Sequence, residues 1–305
     1  IPDQSTINRF LRDFDIQSVS DLEFIFDILL KELVCSKNRK RVLIVDATGI
    51  VVFGNKFQFA KKGYFPKKIG NKGYQVSLGV LLKDYPKISS LFLDPANIAL
   101  DLQLWDTIYQ TADILGGLEY ISLVIGDAIY GVDKHITDFI EFGIPFLLKG
   151  KNSKTIFTHL FTSIPKQHLS CVELFSPYNK RQIIETQIKE NKNGLSIDNL
   201  RTIKFWGIYA FLYIATSVFN LFSLFKETVL VGSGLEHLGL TEITDKLMES
   251  QLKSNTKIFL QKYFSLYIIV SAEYLLKIKF PTIKYFIPLI LLKIISCKML
   301  TNIYT

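Results

Sequence analysis

The chain has 305 residues, 49% hydrophobic and 21% charged, ample for one sizeable core with a small second domain. Lys and Arg number 36 against 28 Asp and Glu, a formal charge of +8 with a pI near 9.1, which favours an anionic partner such as nucleic acid or a membrane surface. Three widely spaced cysteines, Cys35, Cys171 and Cys297, argue against a disulfide framework or a Cys-x-x-Cys zinc site and fit a reducing compartment.

His135, His159, His168 and His237 are scattered without His-x-x-x-His spacing. Each reads as a surface or satisfied core residue rather than a ligand. The chain opens on Ile1 without a Met, so a missing N-terminal piece is expected. No signal-peptide pattern begins it, and the start reads as cytoplasmic.

In chain order, IPDQSTINRFLRDF offers Ser5 or Thr6 as an N-cap, then Ile7, Phe10, Leu11 and Phe14 at helical spacing. VSDLEFIFDILLKEL follows as a second amphipathic helix, with Asp21 near its start and Lys31 near its end, as the helix dipole prefers. Next, RVLIVDATGIVVFG reads as a buried strand with Asp46 near its middle. A buried strand has little reason to carry an acid unless the acid works. A turn at Asp46, Thr48 and Gly49 is the alternative.

Residues 54–74, GNKFQFAKKGYFPKKIGNKGY, interleave Lys56, Lys61, Lys62, Lys67, Lys68 and Lys72 with Phe57, Phe59, Tyr64, Phe65 and Tyr74. Such a loop neutralises phosphates and stacks on bases or sugars, and Lys61, Lys62, Lys67 and Lys68 are the DNA-binding candidates. A solvated, lysine-rich hairpin is the alternative. YQVSLGVLL and KISSLFLDP then read as strands, and DLQLWDTIYQTADIL as a helix with Leu102, Trp105, Ile108 and Ala112 along one stripe. YISLVIGDAIYG is a fourth strand that ends at Gly126 and Asp127, where site loops commonly begin. DKHITDFIEFG is a helix and IPFLLKGK a fifth strand.

In YNKRQIIETQIKENK, Tyr178, Arg181, Glu185 and Lys192 fall within about 60° of arc on a single helix. One face thus carries an acid, two cations and a phenol, suited to holding a divalent metal beside a phosphate backbone. A plain solvated face has the same mixture of charges. Three strands, helix, strand, helix, strand and a further helix form the order of an α/β, ribonuclease-H-like mixed five-stranded sheet flanked by helices. That order sets the first and fourth strands side by side and brings Asp46, Asp127 and Glu185 to one place.

At these residues the chain resembles the DDE transposases of bacterial insertion sequences. The signature of one branch, Y-x2-R-x3-E-x6-K, is matched by Tyr178, Arg181, Glu185 and Lys192. IPDQSTINRFLRDF and NGLSIDNLRTIKFWGIYAFL also resemble the flanks of these enzymes, and the likeness runs to about residue 226. The expected division is an N-terminal helical segment at 1–38, the catalytic domain at 39–226 and a helical, apolar C-terminal tail at 227–305. The interval near 151–177 leaves room for only a short version of the β-rich insertion that many relatives carry.

The resemblance implies two Mg²⁺ or Mn²⁺ ions held by Asp46, Asp127 and Glu185, with Asp46 bridging, for in-line displacement at phosphorus by water or a 3′-hydroxyl. It also implies Arg181 and Lys192 on phosphate, Tyr178 at the cleaved end, cleavage at terminal inverted repeats of double-stranded DNA with joining to target DNA, and a homodimer on paired ends. Two other functions compete. The charge-free run from Phe205 to Phe225 has the length of a membrane span, although Thr216, Ser217 and Asn220 within it favour a core helix. A DNA-binding relic without chemistry is the second, against which stands the complete set of three acids and the four-residue signature.

Overall fold

The computed structural model describes residues 4–250 apart from 35–39, 64, 66–69, 83–84, 151–158, 166, 168–172, 196 and 201. The three cysteines, Tyr64, Lys67, Lys68 and the expected tail beyond residue 250 lie outside the described residues. The chain divides into two compact units, Leu30–Lys189 with Ile203–Phe205, and Ile1–Leu29 with Glu190–Thr202 and Trp206–Thr305.

In the first of these units, Val, Leu and Ile on both sides of Asp46 run unbroken as strand β1, Arg41–Val52. No turn interrupts it at Asp46–Gly49. Its burial on both faces is what a near-continuous apolar run implies. Around it lie β2 (Lys61–Lys62), β3 (Lys72–Leu82), β4 (Lys87–Pro95), β5 (Ile121–Gly126), β6 (Phe146–Lys149) and β7 (Leu160–Thr162). The sheet order is β2-β3-β1-β5-β6-β7, with β4 paired to β3. β1 pairs antiparallel with β3 and parallel with β5, and β6 is parallel to β5. This is a mixed α/β sheet flanked by helices, compatible with a ribonuclease-H-like fold. The five strands expected from the sequence make its body. β2 and β7, of 2 and 3 residues, are too short to leave a periodic apolar signal.

Two helices, α3 (Leu104–Leu115) and α4 (Asp133–Glu141), cover one face. Leu43 and Val45 of β1, Val124 of β5 and Phe146 and Leu148 of β6 pack there against Ile108, Ala112 and Phe139. The α3 stripe starts at Leu104 rather than Leu102, which is exposed ahead of the helix. α3 ends at Gly116, whose φ of 94° is the left-handed conformation glycine adopts freely, and its N–H bonds the Ala112 carbonyl. Because side chains alternate along a strand, Ile44 and Asp46 of β1 face the opposite side of the sheet from Leu43 and Val45.

The second unit is helical. It holds α1 (Gln4–Arg12), most of α2 (Ile16–Leu33), the end of α6 (Gln182–Leu195), α7 (Phe205–Thr228) from Trp206 onward, and α8 (Leu240–Ser250). Asp15 caps α2, accepting from the Ser18 N–H at 2.8 Å, so the helix starts earlier than Asp21 suggested. The Phe26 ring of α2 meets Tyr213 of α7 edge-on at 5.6 Å. α7 is the one described helix long and apolar enough to cross a membrane, and 78% of its most apolar window is buried inside the protein. Such burial is that of a core helix, hydrophobic all round because protein surrounds it.

Candidate active site

The parallel register sets Val45 of β1 beside Gly126 of β5, so Asp46 follows on β1 and Asp127 directly past the end of β5. Gly126 has a local reason to be glycine: a Cβ there would lie 2.9 Å from Leu148, 3.0 Å from Tyr130 and 3.1 Å from Val45. Asp127 opens the turn after β5 and its carbonyl accepts the Tyr130 N–H at 3.0 Å. A side chain at position 126 would press on the core just ahead of that acid.

The stretch carrying Tyr178, Arg181 and Glu185 is not the single helix that its spacing suggested. α5 (Phe175–Asn179) and α6 are separate, and Arg181 sits in the turn between them. Its N–H bonds Tyr178 O at 2.9 Å, three residues back, while its own carbonyl accepts from Ile184 at 3.0 Å. These tight i→i−3 bonds close the joint without a full α-turn. Buried Ile184 anchors the start of α6.

Arg181 is the centre of the site. Its Nη1 donates to Asp46 Oδ2 at 3.1 Å and lies 3.9 Å from Asp127 Oδ2, and its Nη2 donates to Glu185 Oε1. Three carboxylates from β1, the end of β5 and α6 thus gather around one guanidinium. The Arg181 side chain is only 18% exposed, whereas Glu185 is 52% exposed. Burial works against the arginine charge, but Asp127 and Asp46 outweigh it and hold its pKa above the ordinary value. Asp46 is pushed up to about 6, chiefly by burial; the Ala47 N–H and Arg181 oppose this, and Asp127 and Glu185 add to it. The ion pair therefore does not offset the desolvation of Asp46.

Tyr178 is half-buried nearby, its phenol raised by burial and then by Asp127, with Arg181 pulling the other way. Lys192 stands on α6 in the other compact unit. Lys61 and Lys62 are exposed on β2, paired with Gly73 and Lys72 of β3. Of the aromatics between the lysines, Phe65 and Tyr74 are core residues, and the Tyr74 hydroxyl donates to Gln58 O at 2.6 Å. Among the described residues, Phe59 and, just ahead of the stretch, Phe53 are the exposed aromatics here, 51% and 72% exposed. Phe53 lies just before the lysine-rich stretch and carried no motif to single it out.

Sequence reasoning also passed over Tyr130. It is buried beneath the site, and its pKa is raised by burial and by Asp46, Asp101 and Asp127. Its position three residues after Asp127 was the available signal. His135, read from the sequence as a surface or satisfied core residue, is buried, with its Nε2 3.0 Å from Asp101 Oδ2 and its Nδ1 buried without a hydrogen-bond partner among the described residues.

Divalent magnesium or manganese calls for hard oxygen donors, which Asp46, Asp127 and Glu185 supply. Asp127 Oδ1 is buried without a hydrogen-bond partner among the described residues, an oxygen with capacity to spare. The residues present fit such a cation in kind. Among the described residues, no three His, Cys, Asp or Glu side chains form a ready metal cluster; these three acids are arranged around the chain's own cation instead.

A family model described as transposase DDE domain matches residues 37–221, well over half of the chain. The match begins just before β1 and ends within α7, so it spans all three acids and Arg181. No curated protein matches the chain.

Proposed function

The chain belongs to the transposase DDE domain family, and from that premise we propose that it is an insertion-sequence transposase that cleaves DNA at terminal inverted repeats and joins the ends to a target, by cut-and-paste. Transposase function follows from the family; the pathway and the substrate ends are our inference. The observation that carries it is the convergence of Asp46, Asp127 and Glu185, distant in sequence, on one guanidinium.

We assign metal binding to Asp46, Asp127 and Glu185. Two bound divalent ions would supply Lewis-acid stabilisation of the attacking and leaving oxygens in an in-line displacement at phosphorus. Asp46, the most enclosed of the three, is held by β1 and by the Ala47 N–H at 2.8 Å. Glu185 is half-exposed at the start of α6, on the side open to a substrate. Arg181 and Lys192 neutralise phosphate, the first as a fork and the second as a point charge. Tyr178 is assigned to the cleaved end. Lys61 and Lys62, with Lys67 and Lys68, would track the duplex by charge. A homodimer holding two ends in the cytoplasm completes the proposal. Retention of the full acid set beside the family's arginine favours an active enzyme over a relic.

The test is cleavage of a labelled duplex bearing the element's terminal repeat, with Mg²⁺ or Mn²⁺, by wild type and Glu185→Gln. Nicking at the repeat end that needs metal and vanishes in the variant supports the proposal. Equal activity of the two proteins would remove Glu185 from the site.

A further inference from the structure

Arg181 has two competing tasks. To bind phosphate as a fork it must present two parallel N–H donors to the DNA. In the structure both outer nitrogens face the protein's own acids: Nη1 bonds Asp46 at 3.1 Å and approaches Asp127, and Nη2 bonds Glu185. The three acids have the converse problem. Three carboxylates sharing a small space, with Asp46 largely buried, repel one another and require a cation. Here the cation is the guanidinium, and it occupies the point at which their oxygens are aimed.

We propose that Arg181 is the resident counter-ion of the acid site, a positioning residue that competes with divalent metal for Asp46, Asp127 and Glu185 and turns to the DNA phosphate when metal enters. This rests on the assignment of those acids to metal. The architecture suits an exchange. The Arg181 backbone is fixed by its bonds to Tyr178 and Ile184, so only the long side chain has to move. Glu185, the most exposed of the acids, lies at the open side of the cluster.

Reciprocal linkage follows. Metal frees the guanidinium for phosphate, and phosphate draws it off the acids and opens them to metal, so each ligand tightens the other by one common factor. Without DNA the site stays closed by its own arginine, and metal alone binds weakly. Charge compensation then passes from arginine to metal without leaving the acids bare.

The experiment is Mn²⁺ titration of the full chain by calorimetry, with thermal melting in a chelator, for wild type, Arg181→Gln, Arg181→Lys, Glu185→Gln and Asp46→Asn. Arg181→Gln should melt lower than wild type without metal and bind Mn²⁺ at least tenfold more tightly. Arg181→Lys, which keeps the charge and loses the fork, should fall between and serves if Arg181→Gln does not fold. A terminal-repeat duplex should tighten Mn²⁺ binding to wild type several-fold and leave Arg181→Gln nearly unchanged.

If Arg181→Gln binds Mn²⁺ no better than wild type while Glu185→Gln binds it worse, the acids hold metal and arginine is no competitor. If Glu185→Gln and Asp46→Asn both leave Mn²⁺ binding untouched, the metal assignment itself fails and takes this proposal with it.

Discussion

Asp46 shows how a single side chain carries both a cost and a use. An acid whose folded pKa lies above its unfolded value binds more protons when folded, so its contribution to stability falls as pH rises between the two values. With an ordinary value of 3.8 and a folded value of about 6, the window is pH 4 to 6. Two units correspond to about 3 kcal/mol at most. In chelator, the stability of wild type should therefore decline across that window relative to Asp46→Asn, which lacks the titration. Parallel profiles from urea unfolding at each pH would show that Asp46 is not strained by burial. At the same scale, Glu185→Gln should keep the fold, since Glu185 is half-exposed, and lose cleavage by at least a hundredfold, on the order of one lost electrostatic contact to the transition state. A fall in melting temperature together with activity would point to a structural role instead.

Elements place these residues. β1 and β5, adjacent in the middle of the sheet, bring Asp46 and Asp127 together because their parallel register pairs Val45 with Gly126, and α3 and α4 hold that register from the far side. Phe139 of α4 is fully buried, stacked on Phe146 at 5.2 Å and tilted against Trp105 at 5.1 Å. Phe139→Ala should cost about 3–5 kcal/mol in chemical denaturation, from lost burial plus the cavity. A cost under about 1 kcal/mol would mean that α4 does not pack as described. The joint between α5 and α6 was hidden from periodicity. The residues Tyr178, Arg181 and Glu185 obey helical spacing on paper, yet i→i−3 bonds at Lys180 and Arg181 break the rod. Spacing alone cannot tell a 3₁₀-like joint from a continuous helix over so short a span. By contrast, β1 was legible because Val, Leu and Ile continue on both sides of Asp46 and Gly49, although the turn residues there left a hairpin open until the structure showed one strand.

At the scale of the molecule, the formal charge of +8 predicts DNA binding that weakens steeply with salt, each phosphate contact contributing roughly 0.9 to the logarithmic slope. Replacing Lys61 and Lys62 together by alanine should lower that slope by about 2 if both touch backbone. An unchanged slope in a filter-binding or anisotropy titration would remove β2 from the DNA path.

By itself, the sequence determined the order of the five longer strands and of α3 and α4 between them, and the family, because apolar runs, turn residues and fixed motif gaps are local properties. It also marked the charge-free run Phe205–Phe225, with Thr216, Ser217 and Asn220 pointing to a core helix, although only the surrounding protein decides that such a helix is core. The tertiary structure alone decided what stands among the acids. Motif spacing set Arg181 beside Glu185 and assigned it to phosphate; the fold turned the guanidinium inward, since three converging carboxylates draw in the nearest cation. The fold likewise decided that Phe65 and Tyr74 are core, not stacking platforms, and that Tyr130 lies under the site. Such choices depend on which distant surfaces meet, and no local pattern encodes them.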